Sequence, residues 1–150
     1  MKKTGYIFLL IALMCSTCTN KKNTPDISGV KVAVTVQRFD EGFFSIDTNN
    51  LEPGLDALQK QYPQLLTPYL ESVLGVTDPS GIKTFMRLYR PIFDSTQKLY
   101  KNFDPVKKQI EEAFRYVKYY FPSYETPSKL IPVVGPMNSL NDLAKMANGE

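Results

Sequence analysis

Two cysteines near the beginning of the chain, Cys15 and Cys18, are its most reactive side chains. A cysteine thiol can form a disulfide, bind a metal or carry a covalently attached lipid. The chain contains no histidine, so it lacks the commonest general base and the commonest metal ligand. Because no cysteine follows Cys18, zinc and iron–sulfur sites have almost no ligands to use. These residue types predict no catalytic residue, no metal site and no cofactor.

Two pairs of neighbouring carboxylates, Asp40-Glu41 and Glu111-Glu112, are the remaining candidates for acid–base chemistry. The first pair is expected in a turn, and the second on the polar face of a helix, where carboxylates are usually solvated. The 8 glycines are scattered, so no glycine-rich phosphate-binding loop is formed. We therefore expect a protein that is not an enzyme.

The segment around the cysteines has the pattern of an export signal. Lys2 and Lys3 precede an uncharged apolar run from Tyr6 to Met14, and a polar stretch follows Cys18. A helix that crosses a bilayer needs about twenty apolar residues, so this run is too short for one. Its length and its basic start are those of a secretory signal peptide.

A cysteine placed where the apolar run turns polar resembles the lipobox of bacterial lipoproteins. In that class, the signal peptidase cuts immediately before a cysteine whose sulfur carries a diacylglyceryl group. Cys18 is the better candidate, because the small residues Ser16 and Thr17 precede it whereas bulky Met14 precedes Cys15. The position that usually holds leucine is Cys15 here. A disulfide between the two cysteines and an unlipidated secreted protein are the alternatives.

This resemblance implies a signal peptide over residues 1–17 and a lipidated tether over residues 18–29, held to a membrane by acyl chains such as palmitate.

The chain is 43% hydrophobic and 12% aromatic, which is enough for a core without disulfides. Once Lys2 and Lys3 are removed, sixteen basic residues remain against fifteen acidic ones. A domain so close to neutral gives no reason to expect nucleic-acid binding.

Residues 30–150 are predicted to form an α+β domain that is mostly α, with about four to five helices packed on a small strand pair. Val30 to Phe39 alternates between valine and more polar residues, as a half-buried strand does. Its expected partner is the strand at about residues 129–134, where Pro132 indicates a sheet edge. Phe43, Phe44 and Ile46 are expected to pack under the first helices.

The helices between the strands are predicted from apolar spacing and from residues typical of helix ends. One helix is expected from Leu51 to Tyr62 after Asn50 as a cap, and a second from Leu65 to Leu74 until Gly75. Three further starts are expected at Asp78-Pro79, at Asp94-Ser95-Thr96-Gln97 and at Asp104-Pro105.

The longest helix is predicted from Pro105 to about Phe121, with an apolar face on the core and a Glu111–Arg115 ion pair on its polar face. Its end is dense in aromatic rings, namely Tyr116, Tyr119, Tyr120, Phe121 and Tyr124. Tyrosine is enriched at interfaces, so the four tyrosines are candidate contacts for a protein partner or a sugar. Core packing with an exposed rim is the simpler interpretation. Arg38 and Asp40 are expected to form an ion pair at the corner after the first strand.

Several strings, taken in order, resemble the gliding-motility lipoprotein GldB family of Bacteroidota and together cover most of residues 18 to 140. They are Cys18 with Lys21-Lys22, Pro25 to Val32, Arg38-Phe39-Asp40, Phe43-Phe44, Leu55 to Gln59, Tyr62-Pro63, Tyr120-Phe121-Pro122 and Pro127 to Ile131 leading to Gly135.

The resemblance implies a cell-envelope lipoprotein that acts through protein partners in motility or secretion. Surface-exposed lipoproteins of these bacteria carry acidic residues after the lipidated cysteine, whereas Thr19-Asn20-Lys21-Lys22 is basic, which implies a position facing the periplasm. The family is about twice as long, so residues 30–150 are expected to be the N-terminal part of a longer domain. The alternatives are a degenerate zinc-peptidase-like hydrolase whose active residues lie in a missing C-terminal half, and a ligand-binding lipoprotein.

Overall fold

The computed structural model describes residues 24–137. The predicted signal peptide, the first half of the predicted tether with Cys18, and the tail after Met137 lie outside the described residues. The elements are, in chain order, strand β1 (Thr35–Val36), helix α1 (Phe39–Phe44), helix α2 (Leu51–Gln61), helix α3 (Leu66–Pro68, running on as a π-helical turn over Tyr69–Leu74), helix α4 (Pro79–Tyr100), helix α5 (Asp104–Tyr120) and strand β2 (Lys129–Leu130). This arrangement confirms the mostly helical α+β fold and its strand pair.

The two strands form a parallel pair in which Thr35 lies opposite Lys129 and Val36 opposite Leu130. The valines of residues 30–36 are the more buried residues and the side chains between them are exposed, which confirms the alternation. Strand β1 is shorter than the predicted span of residues 30–39. The amide of Val34 donates to the Oε1 atom of Glu111 at 2.9 Å instead of to a strand, and α1 begins at Phe39.

The core is an aromatic cluster centred on α1. Phe39 and Phe43 are fully buried, and the ring of Tyr69 lies 4.9 Å from Phe39 and 5.2 Å from Phe43 between centroids. Phe44 stacks on Phe93 of α4 at 4.6 Å. The prediction that Phe43 and Phe44 pack under the helices is confirmed. Asp40 and Glu41 were predicted in a turn, whereas they lie in α1, the helix that carries the centre of the core.

Most predicted helix ends agree with the structure. Helix α2 follows Asn50, although that side chain makes no capping hydrogen bond, and α3 ends at Gly75, whose φ is +66°. At the start of α4, the Oδ1 atom of Asp78 accepts the amide of Gly81 at 2.9 Å. The predicted cap at Asp104 is wrong: Asp104 is the first residue of α5, and its amide donates to Asn102 at 2.9 Å.

The helix start predicted at Asp94 to Gln97 is also wrong, because α4 continues through Pro91 to Tyr100. It is therefore α4, and not the helix from Pro105, that is the longest among the described residues. Buried Phe85 and Phe93 anchor α4 to the core on both sides of Pro91, so packing offsets the hydrogen bond that proline removes.

Helix α5 packs less deeply than predicted. None of its residues is buried, and none belongs to the core cluster or to the apolar residues packed against it. Val106, Ile110, Phe114 and Val117 are half-buried, whereas Tyr120 is 61% exposed. Among the described residues, Glu111 does not form the predicted ion pair with Arg115. It pairs with Lys107 instead, at 3.8 Å.

No helix within residues 24–137 combines the length and the apolar character that crossing a membrane requires.

Candidate functional site

The corner between β1 and α1 is fixed by one buried carboxylate and one arginine. The guanidinium of Arg38 donates twice to Asp40, from Nε to Oδ1 at 2.8 Å and from a terminal nitrogen to Oδ2 at 2.7 Å. Asp40 is 4% exposed. The hydrogen bond from Arg38 to Asp40 is the main cause that raises the pKa of Arg38. The charges of Asp40 and Glu41 act in the same direction. The predicted corner ion pair is thus confirmed.

The same two side chains reach beyond the corner to the end of α4. Gln97 donates to Asp40 at 3.2 Å and accepts from Arg38 at 3.1 Å. Arg38 also donates to the backbone oxygens of Tyr100 and Lys101, and its guanidinium lies 5.1 Å from the ring centroid of Phe103. The cluster therefore connects the corner between β1 and α1 to the end of α4, as a structural joint does.

Tyr69 is a core tyrosine whose pKa is strongly raised. The hydroxyl of Tyr69 donates to the backbone oxygen of Val134 at 2.6 Å, which ties α3 to the segment after β2. Burial is the largest cause that raises the pKa of Tyr69, and the nearby charge of Asp40 raises it further. This phenol stays protonated, as a hydrogen-bond donor must.

The aromatic residues predicted as partner contacts lie on the surface. Tyr119, Tyr120, Phe121 and Tyr124 are 45%, 61%, 64% and 47% exposed, and we call these four residues the aromatic surface. The rings of Tyr119 and Tyr120 meet edge to face at 5.2 Å. Tyr116, the remaining candidate, is half-buried. The helix end therefore gathers four of the five rings at the solvent, where amphipathic side chains can contact a partner.

A second group of exposed apolar residues lies on α4 and was not predicted from the sequence. Leu88, Ile92 and Leu99 of α4 are 58%, 49% and 76% exposed. Their spacing puts them on one side of the helix, about a quarter turn from the side that enters the core. Because α4 was expected to be two helices, this side was not foreseen as one surface.

The described residues contain no group of three or more histidine, cysteine, aspartate or glutamate side chains that could hold a metal ion. The predicted lipidation residue Cys18 lies outside the described residues, so its role stays a prediction.

Comparison with known proteins returned one family. A family model described as gliding motility protein GldB matches residues 20–148. Searches of curated proteins and of solved structures returned no match.

Proposed function

Because the chain belongs to the gliding motility protein GldB family, we propose that it is a lipid-anchored protein of the cell envelope that binds protein partners in a motility or secretion system. The aromatic surface at the end of α5 is the observation that supports partner binding. The lipid anchor and the partner surface are separate parts of the proposal, and each has its own test.

The proposed anchor is a lipid on Cys18. The family match begins at residue 20, just after this cysteine, so the shared domain starts where a mature lipoprotein would start. Two or three acyl chains on one residue hold a protein on a membrane durably, whereas one chain does so only reversibly. The basic stretch Thr19-Asn20-Lys21-Lys22 supports a position facing the periplasm.

The proposed partner surface is the aromatic surface with the half-buried face of α5 beside it. Large apolar groups at the surface that form one patch are typical of interaction sites. Tyrosine and phenylalanine are enriched in the centres of protein interfaces, and a helix whose apolar face is only half covered offers further area to a partner. The occupant that we propose is another envelope protein.

The anchor is tested by substituting each cysteine separately. The full chain is expressed in its own cells, and the intact mass and the membrane fraction are measured. We expect Cys18→Ser to abolish the lipid mass and to release the protein from membranes, and Cys15→Ser to change neither. A wild-type protein without lipid, or one whose lipid survives Cys18→Ser, would contradict the anchor.

The partner surface is tested by placing a photo-crosslinking amino acid at Tyr120 and, as a matched control, at Lys60, which is exposed on α2. We expect a crosslink to one envelope protein from position 120 and none from position 60. Substituting Tyr119 and Tyr124 by serine should reduce that crosslink at least about fivefold. Crosslinks of equal strength from both positions would show that the aromatic surface has no special role.

A further inference from the structure

We infer that a cleft between α4 and the loop after α1 binds a phosphate group. The cleft is open to solvent and has a volume of about 690 Å³, which lies in the range of small-molecule sites. One wall is the outer side of α4, and the other is the loop around Asp47 and Asn49. The cleft shares no residue with the aromatic surface, and the inference does not depend on the proposed function.

Three cations of α4 line this cleft, namely Lys83, Arg87 and Arg90. They follow one another at spacings of four and three residues, so they lie on one side of the helix, and side chains so spaced are about 5–6 Å apart at their Cβ atoms. Asp47 is the one acidic residue that lines the cleft. The positive charge is therefore concentrated, although the domain as a whole is close to neutral.

Two of these cations have no ion-pair partner among the described residues, although Lys83 also lines a neighbouring pocket with Glu52 and Asp56. Lys83 and Arg87 make no ion pair with any residue of the described range 24–137. The carboxylate of Asp47 is engaged in its own turn, where it accepts the amide of Asn49 at 2.9 Å. A concave site with uncompensated charge of one sign attracts ions of the opposite sign.

The third cation, Arg90, bridges the two walls of the cleft. Arg90 donates to the backbone oxygen of Phe44 at 2.6 Å and pairs with Asp94 at 3.2 Å. It therefore connects the end of α1 to α4 and fixes the distance between the two walls. Buried Phe44 and Met86 line the cleft between its two walls.

The set of donors fits phosphate better than carboxylate. Ser80 and Thr84 line the cleft on the same wall as Lys83 and Arg87, so two cations and two hydroxyls can converge on one group. A carboxylate offers two acceptor oxygens, whereas a phosphate monoester offers three, and arginine and lysine are its usual partners. The phosphate can belong to a soluble compound or to a lipid headgroup, and the test distinguishes the two.

The test measures the acetylation rate of Lys83 by mass spectrometry in the full chain isolated from membranes. Lys98 and Lys108, which are exposed on α4 and α5, serve as internal controls. We expect inorganic phosphate to slow acetylation of Lys83 at least about fivefold relative to chloride of equal ionic strength, and to leave the control lysines unchanged. The Arg87→Gln variant should need about tenfold more phosphate for the same protection, whereas Lys98→Gln, with the same charge change, should need no more.

A second arm places the protein in vesicles of phosphatidylcholine with or without phosphatidic acid, whose headgroup is a phosphate monoester. Protection of Lys83 by phosphatidic acid identifies a lipid headgroup as the source, and protection by inorganic phosphate alone identifies a soluble compound; either supports the site. Equal protection of all three lysines, no protection in either arm, or protection by a glutamate-rich peptide but not by phosphate would overturn it.

Discussion

The carboxylate of Asp40 is the most consequential single group in the described part of the chain. It is 4% exposed and receives three hydrogen bonds, two from Arg38 and one from Gln97. A buried charge is tolerated only when it is paired and hydrogen-bonded, and removing one partner leaves the other uncompensated. The short string Arg38-Phe39-Asp40 was enough to predict the pair, because both residues lie at the same corner.

We expect Asp40→Asn to lower the free energy of unfolding by about 2 to 3 kcal/mol, because Arg38 then loses its buried partner. Asp94→Asn is the matched control: its pair with Arg90 is about half exposed on both sides, so it should cost less than about 0.5 kcal/mol. Urea unfolding of both variants measures the difference. Equal costs would mean that burial of the Asp40 pair adds nothing.

Tyr69 predicts a pH dependence. Burial raises the pKa of its phenol in the folded protein above the unfolded value of about 10. The unfolded state therefore loses this proton first, and the stability that Tyr69 contributes is complete below about pH 10 and falls as the pH rises further. We expect Tyr69→Phe to cost about 1 kcal/mol at pH 8 through the lost bond to Val134, and to lose less stability than the wild type between pH 8 and pH 10.5. Urea unfolding at the two pH values measures this, and an equal loss in both proteins would contradict it.

Gly75 sets the end of α3 and the direction of the chain into α4. It is the one described residue with a positive φ, +66°, a conformation that costs other residues about 1–2 kcal/mol. A methyl group there would meet nothing within 4 Å, so the cost of Gly75→Ala is conformational alone.

We therefore expect Gly75→Ala to lower the free energy of unfolding by about 1 kcal/mol. Gly29→Ala is the control, because an added Cβ there also meets nothing within 4 Å and its φ is not positive. It should change stability by less than about 0.5 kcal/mol. Thermal or urea unfolding measures the free energy of unfolding of the two variants. A similar loss of stability at both positions would refute the role of the left-handed conformation.

Element ends were predictable where local chemistry determines them, and not where packing does. Asp78 and Gly75 act through their own backbone neighbours, so their roles were visible in the sequence. Asp94 to Gln97 has the residue types of a helix start, yet Arg90 pairs with Asp94 and Gln97 reaches Asp40 from within one continuous helix. Helix α1 was missed for the same reason: its phenylalanines are helical because they fill the core, a fact of tertiary structure.

At the scale of the molecule, α5 is the element least integrated into the core. It contributes no buried side chain, and a hydrogen bond from the amide of Val34 to Glu111 is one of its few polar links to the rest. The amphipathic pattern predicted the helix and its bounds to within a residue. It could not predict how much of the apolar face would be covered, because coverage depends on what lies opposite.

We expect α5 to open more readily than α4, since stability against local opening depends on buried contacts. Amides of residues 108–118 should exchange with deuterium at least about tenfold faster than those of residues 83–93. Native-state exchange measured by mass spectrometry tests this within one molecule. Equal protection of the two helices would show that the half-buried face of α5 is held as firmly as the core.

The parallel strand pair has a consequence for the order in which the chain folds. Thr35 meets Lys129, and all five helices lie between them along the described chain. Closing so long a loop costs entropy before any contact repays it, while the helices form from neighbours in sequence. The pair therefore forms late, after β2 has been synthesised. Until then β1 has no strand beside it, so the helical core must hold together without this pair during the first stages of folding.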